Sequence, residues 1–344
     1  ALVCATFLAA SPLNSTISRT AGGDAIALFA IMLVFAALAN LRSGGRETWF
    51  YALAIGLGLG LTSSPLIYGG LLSLALAWAA TSVVSNQPVW RVEVSRPTLR
   101  NGIIVGLLVF LGLSTRILTY PAGLGASAQL LGEWLGAFSL QGGLQGALAP
   151  LLALGRYEVT ILVAGTAAVV WAIWKNTSSG VLLTFWLLTI VGLMLMQNGY
   201  LANALPATLP GYLLVGVFSA VIFRKRPGQW TWILSGGLLL IGAVVLVNTG
   251  RYLRVAVYEP DLSNLWLGVL AMAAGALMIY YFWSLTEANI GQAVWLALLV
   301  VLLVFEWGTA WRLSHHGAND PRERWVETGT DNDLPVLLET LQDV

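Results

Sequence analysis

Apolar runs separated by short turns recur along the whole chain, and this repeat constrains the fold more than any other feature. A bilayer-spanning helix needs about 20 consecutive, mostly apolar residues, and the runs have that length. The composition agrees. Of 344 residues, 58% are hydrophobic and only 10% are charged. A soluble domain carries about 25% charged residues, so this chain cannot clothe itself against water. A soluble enzyme, a nucleic-acid binder and a disordered protein are excluded. The single cysteine, Cys4, excludes a disulfide framework and a cysteine-based zinc site. A net charge of +1 says nothing about partners, whereas 15 Trp and 10 Tyr suit a protein with two membrane interfaces to anchor.

The expected fold class is an all-α polytopic membrane protein with about ten full transmembrane helices and one partial one. The spans are read at 22–41, 48–63, 65–84, 101–119, 157–174, 180–197, 208–224, 230–249, 264–284 and 290–310. Ser63-Ser64-Pro65 makes a tight turn between two of them, because proline restricts the residue before it and suits a helix start. The apolar stretch 1–12 lacks the basic opening of a signal peptide. It reads as the end of a helix that begins upstream, and the chain's end at Asp343-Val344 reads as cut within a helical pattern.

Lys and Arg in the short loops set the orientation. Arg42, Arg46, Arg91, Arg96, Arg100, Lys175, Arg224, Lys225 and Arg226 share one side, which is read as cytoplasmic. Arg19, Arg116, Arg156, Arg251 and Arg254 lie on the other, in longer loops. This places the protein in the inner membrane with its C-terminal tail outside the cytoplasm. The longest outer loop, 116–158, holds an amphipathic stretch from Leu130 to Phe138, of the kind that lies in the interface plane. Residues 1–311 form the membrane domain. From 312 the chain turns polar, with an alternating Arg324-Trp325-Val326-Glu327-Thr328 followed by a helical 333–344. That order predicts the start of a soluble extracytoplasmic α/β domain.

Few charged residues remain to carry chemistry. Ser11-Pro12, Ser18-Arg19 and Asp24 open the first full span on the outer side. Arg19 and Asp24 are costly at that depth unless paired, hydrated or used, although Asp24 also suits the first turn of a helix. Arg156-Tyr157-Glu158 stands at another span entrance, either as interface anchors or as a rim for an anionic lipid headgroup. Glu306 lies inside the last span, where a lone carboxylate is a functional candidate by default, or else, about one turn from the outer end, simply reaches water. Glu259 and Asp261, with Arg251 and Arg254, form a charged outer loop. Asn198, Tyr200 and Asn203 suit hydrogen bonding to a sugar. His315-His316 is a weak metal signal, since adjacent residues do not share a helical face. Gly56-Leu57-Gly58-Leu59-Gly60 reads as close helix packing by small residues, not as a nucleotide loop.

The stretch from Phe7 to Ile67 resembles the polyprenyl-phosphate-sugar-dependent membrane glycosyltransferases of the GT-C fold. The resemblance rests on Ser11-Pro12, Ser18-Arg19 and Asp24 opening a span, then a basic turn, then Gly56-Leu57-Gly58-Leu59-Gly60-Leu61-Thr62. Protein O-mannosyltransferases and aminoarabinose transferases share this layout, and a bacterial and archaeal branch described as flippase-activity-associated is the most similar. Tyr157-Glu158 and Glu323–Thr328 are also similar to that branch. The resemblance implies sugar transfer from a polyprenyl-phosphate donor to an acceptor outside the cytoplasm. Asp24 matches the family's second important acidic residue, at the outer cavity, which implies it as a catalytic carboxylate here, with a carboxylate acting as general base on the acceptor hydroxyl. The resemblance implies Arg19 beside the lipid phosphate, and Arg156, Tyr157 and Glu158 are further candidates for that headgroup from their place at a span entrance. Membrane lipids and other membrane proteins are the remaining expected partners, and no nucleic acid is expected. Family members differ in divalent-metal use, so a metal is compatible with the resemblance, and no cofactor is required. The chain departs from the pattern at Thr62-Ser63-Ser64-Pro65, where the family has a basic residue after the threonine. The family's main catalytic Asp belongs to a first outer loop that would precede residue 1. A lipid-carrier flippase or transporter, and a non-catalytic subunit of a membrane complex, are the rival readings.

Overall fold

A computed structural model describes residues 1–18, 22–85, 94–138, 143–197, 201–255 and 263–315. The described residues are helical with short connections and contain no strand. In chain order the helices are α1 (Leu2–Ala10), α2 (Pro12–Ile17), α3 (Asp24–Arg42), α4 (Trp49–Gly60), α5 (Leu66–Ser85), α6 (Arg96–Ser114) and α7 (Gly123–Gly136). Then come α8 (Gly143–Tyr157), a π-helical segment (Ile161–Gly165), α9 (Thr166–Lys175), α10 (Ser178–Met196) and a 3₁₀ segment (Leu201–Ala207). The last four are α11 (Thr208–Ile222), α12 (Gln229–Val255), α13 (Ser263–Leu285) and α14 (Ile290–His315).

Eight helical stretches are long and apolar enough to cross a membrane, and a ninth is obtained if one bent pair counts as a span. The protein is therefore a polytopic α-helical membrane protein. Two of the ten expected spans differ. The span read at 48–63 forms only the twelve-residue α4, about 18 Å long at 1.5 Å per residue, well short of a hydrocarbon core. The span read at 157–174 is the second half of a helix pair, Leu148–Tyr157 and Ile161–Lys175, bent by 101° at its break. The chain also runs helically through Arg312 to His315, so α14 crosses the boundary drawn between 311 and 312. The expected strand at 324–328 and helix at 333–344 lie outside the described residues.

Local sequence explains where helices start and stop. Asp24 sits in the first turn of α3 and Arg42 in its last, so both charges complement the helix dipole. Ser11 caps α2 by accepting from Asn14 N at 3.2 Å, with Pro12 at the first helical position. Asn176, at φ 47°, closes α9 in the left-handed conformation. The α4 glycines bring three helices together. A Cβ on Gly56 would meet Val34 Cγ2 at 3.1 Å, and one on Gly58 would meet the Gly106 carbonyl at 2.6 Å. α4 is thus wedged between α3 and α6, the small-residue packing that stands in for hydrophobic force inside a bilayer.

The main core gathers α1, α2, α3, α5, α10, α11 and the middle of α14. Its centre is the stretch Leu201–Ile222, two-thirds buried. Trp186 is fully enclosed, its Nε1 donating to Ser73 Oγ at 3.2 Å across α10 and α5. A smaller cluster of Leu234, Phe282 and Ala293 joins α12 and α13 to α14. The outward faces of α6, α12 and α13 are apolar, as at Leu108, Leu240, Leu270 and Trp283. Exposed apolar surface of that extent belongs against lipid.

Candidate functional site

Two constellations that are distant in sequence each gain partners. At the start of α3, Ser64 Oγ donates to Asp24 Oδ1 at 2.5 Å and accepts from Leu66 N at 3.1 Å. The same serine therefore caps α5 and ties it to α3. A Cβ on Gly23 would fall 1.9 Å from the Ser63 carbonyl oxygen, so only glycine allows this approach. Asp24 remains partly exposed. Arg19, Glu259, Asp261, Asn198, Tyr200 and His316 lie outside the described residues.

The second constellation forms at the break between α8 and the π-helical segment. Glu158 is fully buried and holds three donors: Ser11 Oγ at 2.6 Å and Leu13 N at 2.9 Å on Oε1, and the Tyr212 hydroxyl on Oε2. Tyr212 is itself enclosed and stacks on Phe7, with centroids 5.8 Å apart. Glu306 is also fully buried, and its Oε1 accepts from Thr160 N at 3.1 Å. It faces the same phenol from α14. The two acids do a similar job. Leu13 N and Thr160 N both lie at helix starts, where N–H groups lack intrahelical partners. Carboxyls from elsewhere in the chain supply the missing acceptors.

This arrangement corrects three expectations of position. Tyr157 and Glu158 do not form a rim, because both side chains point into the core. Of that triplet only Arg156 is exposed, with its guanidinium 5.3 Å from the Tyr157 ring centroid. Glu306 does not reach water, because α14 continues well past it. Sequence reading missed Tyr212 altogether. A tyrosine inside an apolar span is a signal in itself, since a buried phenol needs a partner.

A cleft of about 250 Å³ runs beside the α3 start. Ile17, Ala25, Leu28, Phe29, Met32 and Leu209 make its walls, and Asn14 and Ser18 are its polar members. Ala25, Leu28, Phe29 and Met32 follow the 3.6-residue period, so one face of α3 forms a side of the cleft. Asn14 is held in place by a 3.3 Å bond from its Nδ2 to the Leu8 carbonyl and a 3.4 Å bond from Thr208 Oγ1.

Among the described residues no group of three or more His, Cys, Asp or Glu is placed to hold a metal ion. His315 stacks on Trp311, with centroids 4.0 Å apart. The chain matches no protein-family model, no curated protein and no solved structure.

Proposed function

We propose that the protein is a membrane glycosyltransferase that moves a sugar from a polyprenyl-phosphate carrier to an acceptor outside the cytoplasm. The observation that carries this reading is the apolar cleft lined by Ser18 on α2's end and by Ala25, the residue after Asp24, on α3. A branched hydrocarbon chain fits such walls, and its phosphate would then emerge beside Asp24. In this reading Asp24 is the general base toward the acceptor hydroxyl, held in orientation by Ser64. Arg19 and the exposed Arg156 offset the charge of the departing phosphate. Glu158 serves the site indirectly, by fixing α2 and with it the cleft wall, and Tyr157 packs in the core under the Arg156 guanidinium. No step is routed through a metal. In this reading the basic loops face the cytoplasm and the Asp24 mouth opens on the outer face of the inner membrane.

The test is sugar transfer from a polyprenyl-phosphate sugar by the full-length protein in proteoliposomes. Asp24→Asn and Arg19→Ala should each lower transfer by at least tenfold while leaving the protein folded. Full activity in both variants would remove this site from the reaction.

One observation favours the rival reading of a lipid-carrier flippase. Transporters place broken helices and acidic groups near the bilayer midplane, and the 101° break at Glu158 has that character. Flipping of a fluorescent carrier without any sugar transfer would establish it.

A further inference from the structure

A trench of about 370 Å³ runs between α4 and α6, and every residue that lines it is apolar. Its α4 side is Phe50, Leu53, Leu57 and Leu61, and its α6 side is Ile103, Leu107 and Phe110. Ile103 and Leu107 are 52% and 54% exposed, so the trench lies open on the outside of the bundle. Small residues create it. A Cβ on Gly106 would lie 3.1 Å from the Ala54 carbonyl oxygen, and one on Gly58 would lie 2.6 Å from the Gly106 carbonyl oxygen. The two backbones therefore touch at the floor, and the large side chains stand up on either side.

We propose that this trench binds one acyl chain of an anionic glycerophospholipid, whose phosphate is met by Arg46, Arg96 and Arg100. The placement of the arginines carries the assignment. Steps of four, three, four and three residues separate Arg96, Arg100, Ile103, Leu107 and Phe110, so all five share one stripe of α6. Helical side chains lean toward the N-terminus, which carries both arginines toward the membrane surface. Arg46 is brought to the same end by its neighbour. Glu47 accepts from Ser95 Oγ at 2.6 Å and from Thr98 Oγ1 at 2.8 Å, which pins the start of α4 to the start of α6. All three arginines are exposed. Glu47 turns its carboxylate to the two hydroxyls and offsets only one of the three positive charges. Basic pockets of this kind between transmembrane helices suit anionic lipid headgroups.

The shape selects a chain over a helix. From Phe50 to Leu61 the trench rises about 16 Å at 1.5 Å per residue, close to half of the ~30 Å hydrocarbon core. It is thus one leaflet deep, and it begins at the arginine end, where a Cβ on Gly102 would meet the Phe50 ring at 2.4 Å. A partner's helix packs closely only against small residues. Those are already consumed by the α4–α6 contact, and the rims offer Leu57, Leu107 and Phe110 instead. A helix about 10 Å wide cannot enter such a slot, whereas a flexible hydrocarbon chain can. The inference stands apart from the transferase reading. It uses a different cleft, and Asp24 belongs to the other end of α4, where Gly23 meets Ser63.

Lipid retention by the full-length protein in detergent tests it, with dioleoyl phosphatidylglycerol and dioleoyl phosphatidylcholine as probes. The chains are the same, and only the first headgroup carries net negative charge. Phosphatidylglycerol should be retained at least tenfold better. Arg96→Gln and Arg100→Gln should each lower its retention about fivefold, as for one basic residue near a membrane surface. Arg224→Gln, in another basic loop, should leave it unchanged. Leu107→Trp adds bulk at an exposed position that folding tolerates, and should lower retention at least fivefold. Dihexanoyl phosphatidylglycerol, with the same headgroup on short chains, should be retained no better than phosphatidylcholine. Equal retention of the two dioleoyl lipids, or an equal loss in Arg224→Gln, would overturn the proposal in favour of general surface charge or none. Unchanged retention in Leu107→Trp, or equal retention of the dihexanoyl lipid, would overturn the role of the trench. A dimer that Leu107→Trp dissociates would also overturn it and assign the trench to a second copy of this chain.

Discussion

Replacing Tyr212 with Phe removes one oxygen from the centre of the protein and changes little else. The ring is fully buried and stacked on Phe7, so the apolar packing is retained. What is lost is the bond from the phenol to Glu158 Oε2. In water-soluble proteins a hydrogen bond to a charged group contributes about 1.5–3 kcal/mol. Inside membranes the double-mutant average is only about 0.6 kcal/mol, with a maximum near 1.7. The upper end applies here for a structural reason. Glu158 caps α2, so loosening it also loosens Ser11 and Leu13. We therefore expect Tyr212→Phe to cost about 1.5 kcal/mol. Glu158→Gln should cost more, because its amide presents hydrogens to donors. Reversible unfolding in mixed micelles of the wild type, both single variants and the double variant measures the coupling. A coupling energy near 1.5 kcal/mol is expected. A value below about 0.5 kcal/mol would refute the view that this bond ties α11 to the break at Glu158.

Three further expectations are independent of that cycle. Gly23→Ala should destabilise the protein by about 1–3 kcal/mol and lower any activity of the Asp24 mouth, because the new methyl meets the Ser63 carbonyl; unfolding midpoints check it. Cys4 is the chain's one cysteine and is buried, so single cysteines can be read against a silent background. Arg46→Cys should be modified only from the cytoplasmic side and Tyr120→Cys only from the other. Glu47 accepts from Ser95 Oγ at 2.6 Å and Thr98 Oγ1 at 2.8 Å, and these two bonds hold its carboxyl below the usual carboxylate range. A lowered folded pKa means that its contribution is present above the unfolded value and is lost as pH falls through the folded one. Hydrogen exchange at the start of α6 should therefore rise in acid, and Glu47→Gln should flatten the change.

The spans were legible because hydropathy over twenty residues is a local property, and eight of the ten appear as full-length helices. Where the reading slipped, the deciding contacts are remote. Glu158 looks like a first-turn acid at an interface because its partners, Ser11 and Tyr212, lie 147 and 54 residues away. Nothing in the local pattern signals the bend. Glu306 was placed within reach of water because the apolar run fades near 310, while the helix continues to His315. The length of α4 was overread because Leu61-Thr62-Ser63 extends the apolar run but turns instead of continuing the helix. Asn203 was singled out as a polar group on the outer side. It lines one small cavity with Trp134 and Gln197, which depends on three segments meeting and has no sequence signature.

The interior acids bear on the choice between transfer and translocation. An acid that binds a moving ion or proton must exchange partners, and its donors must be able to leave. Glu158 is held by a serine at a helix cap, a backbone N–H at a helix start and an enclosed tyrosine. The backbone donor cannot rotate away without unwinding α2. Glu306 is engaged through Oε1 alone, by the Thr160 backbone N–H, and its Oε2 has no hydrogen-bond partner among the described residues. Each acid therefore reads as a fastener at a helix start, Glu158 for Leu13 N of α2 and Glu306 for Thr160 N at the bend, since both N–H groups would otherwise be orphaned. Asp24 differs. It is partly exposed, its one described bond is to the Ser64 hydroxyl, and Ala25 beside it in the chain lines an apolar cleft. A base toward an incoming hydroxyl must be reachable from outside as well as oriented, and this contrast leads us to favour transfer at Asp24 over passage along the Glu158–Glu306 line.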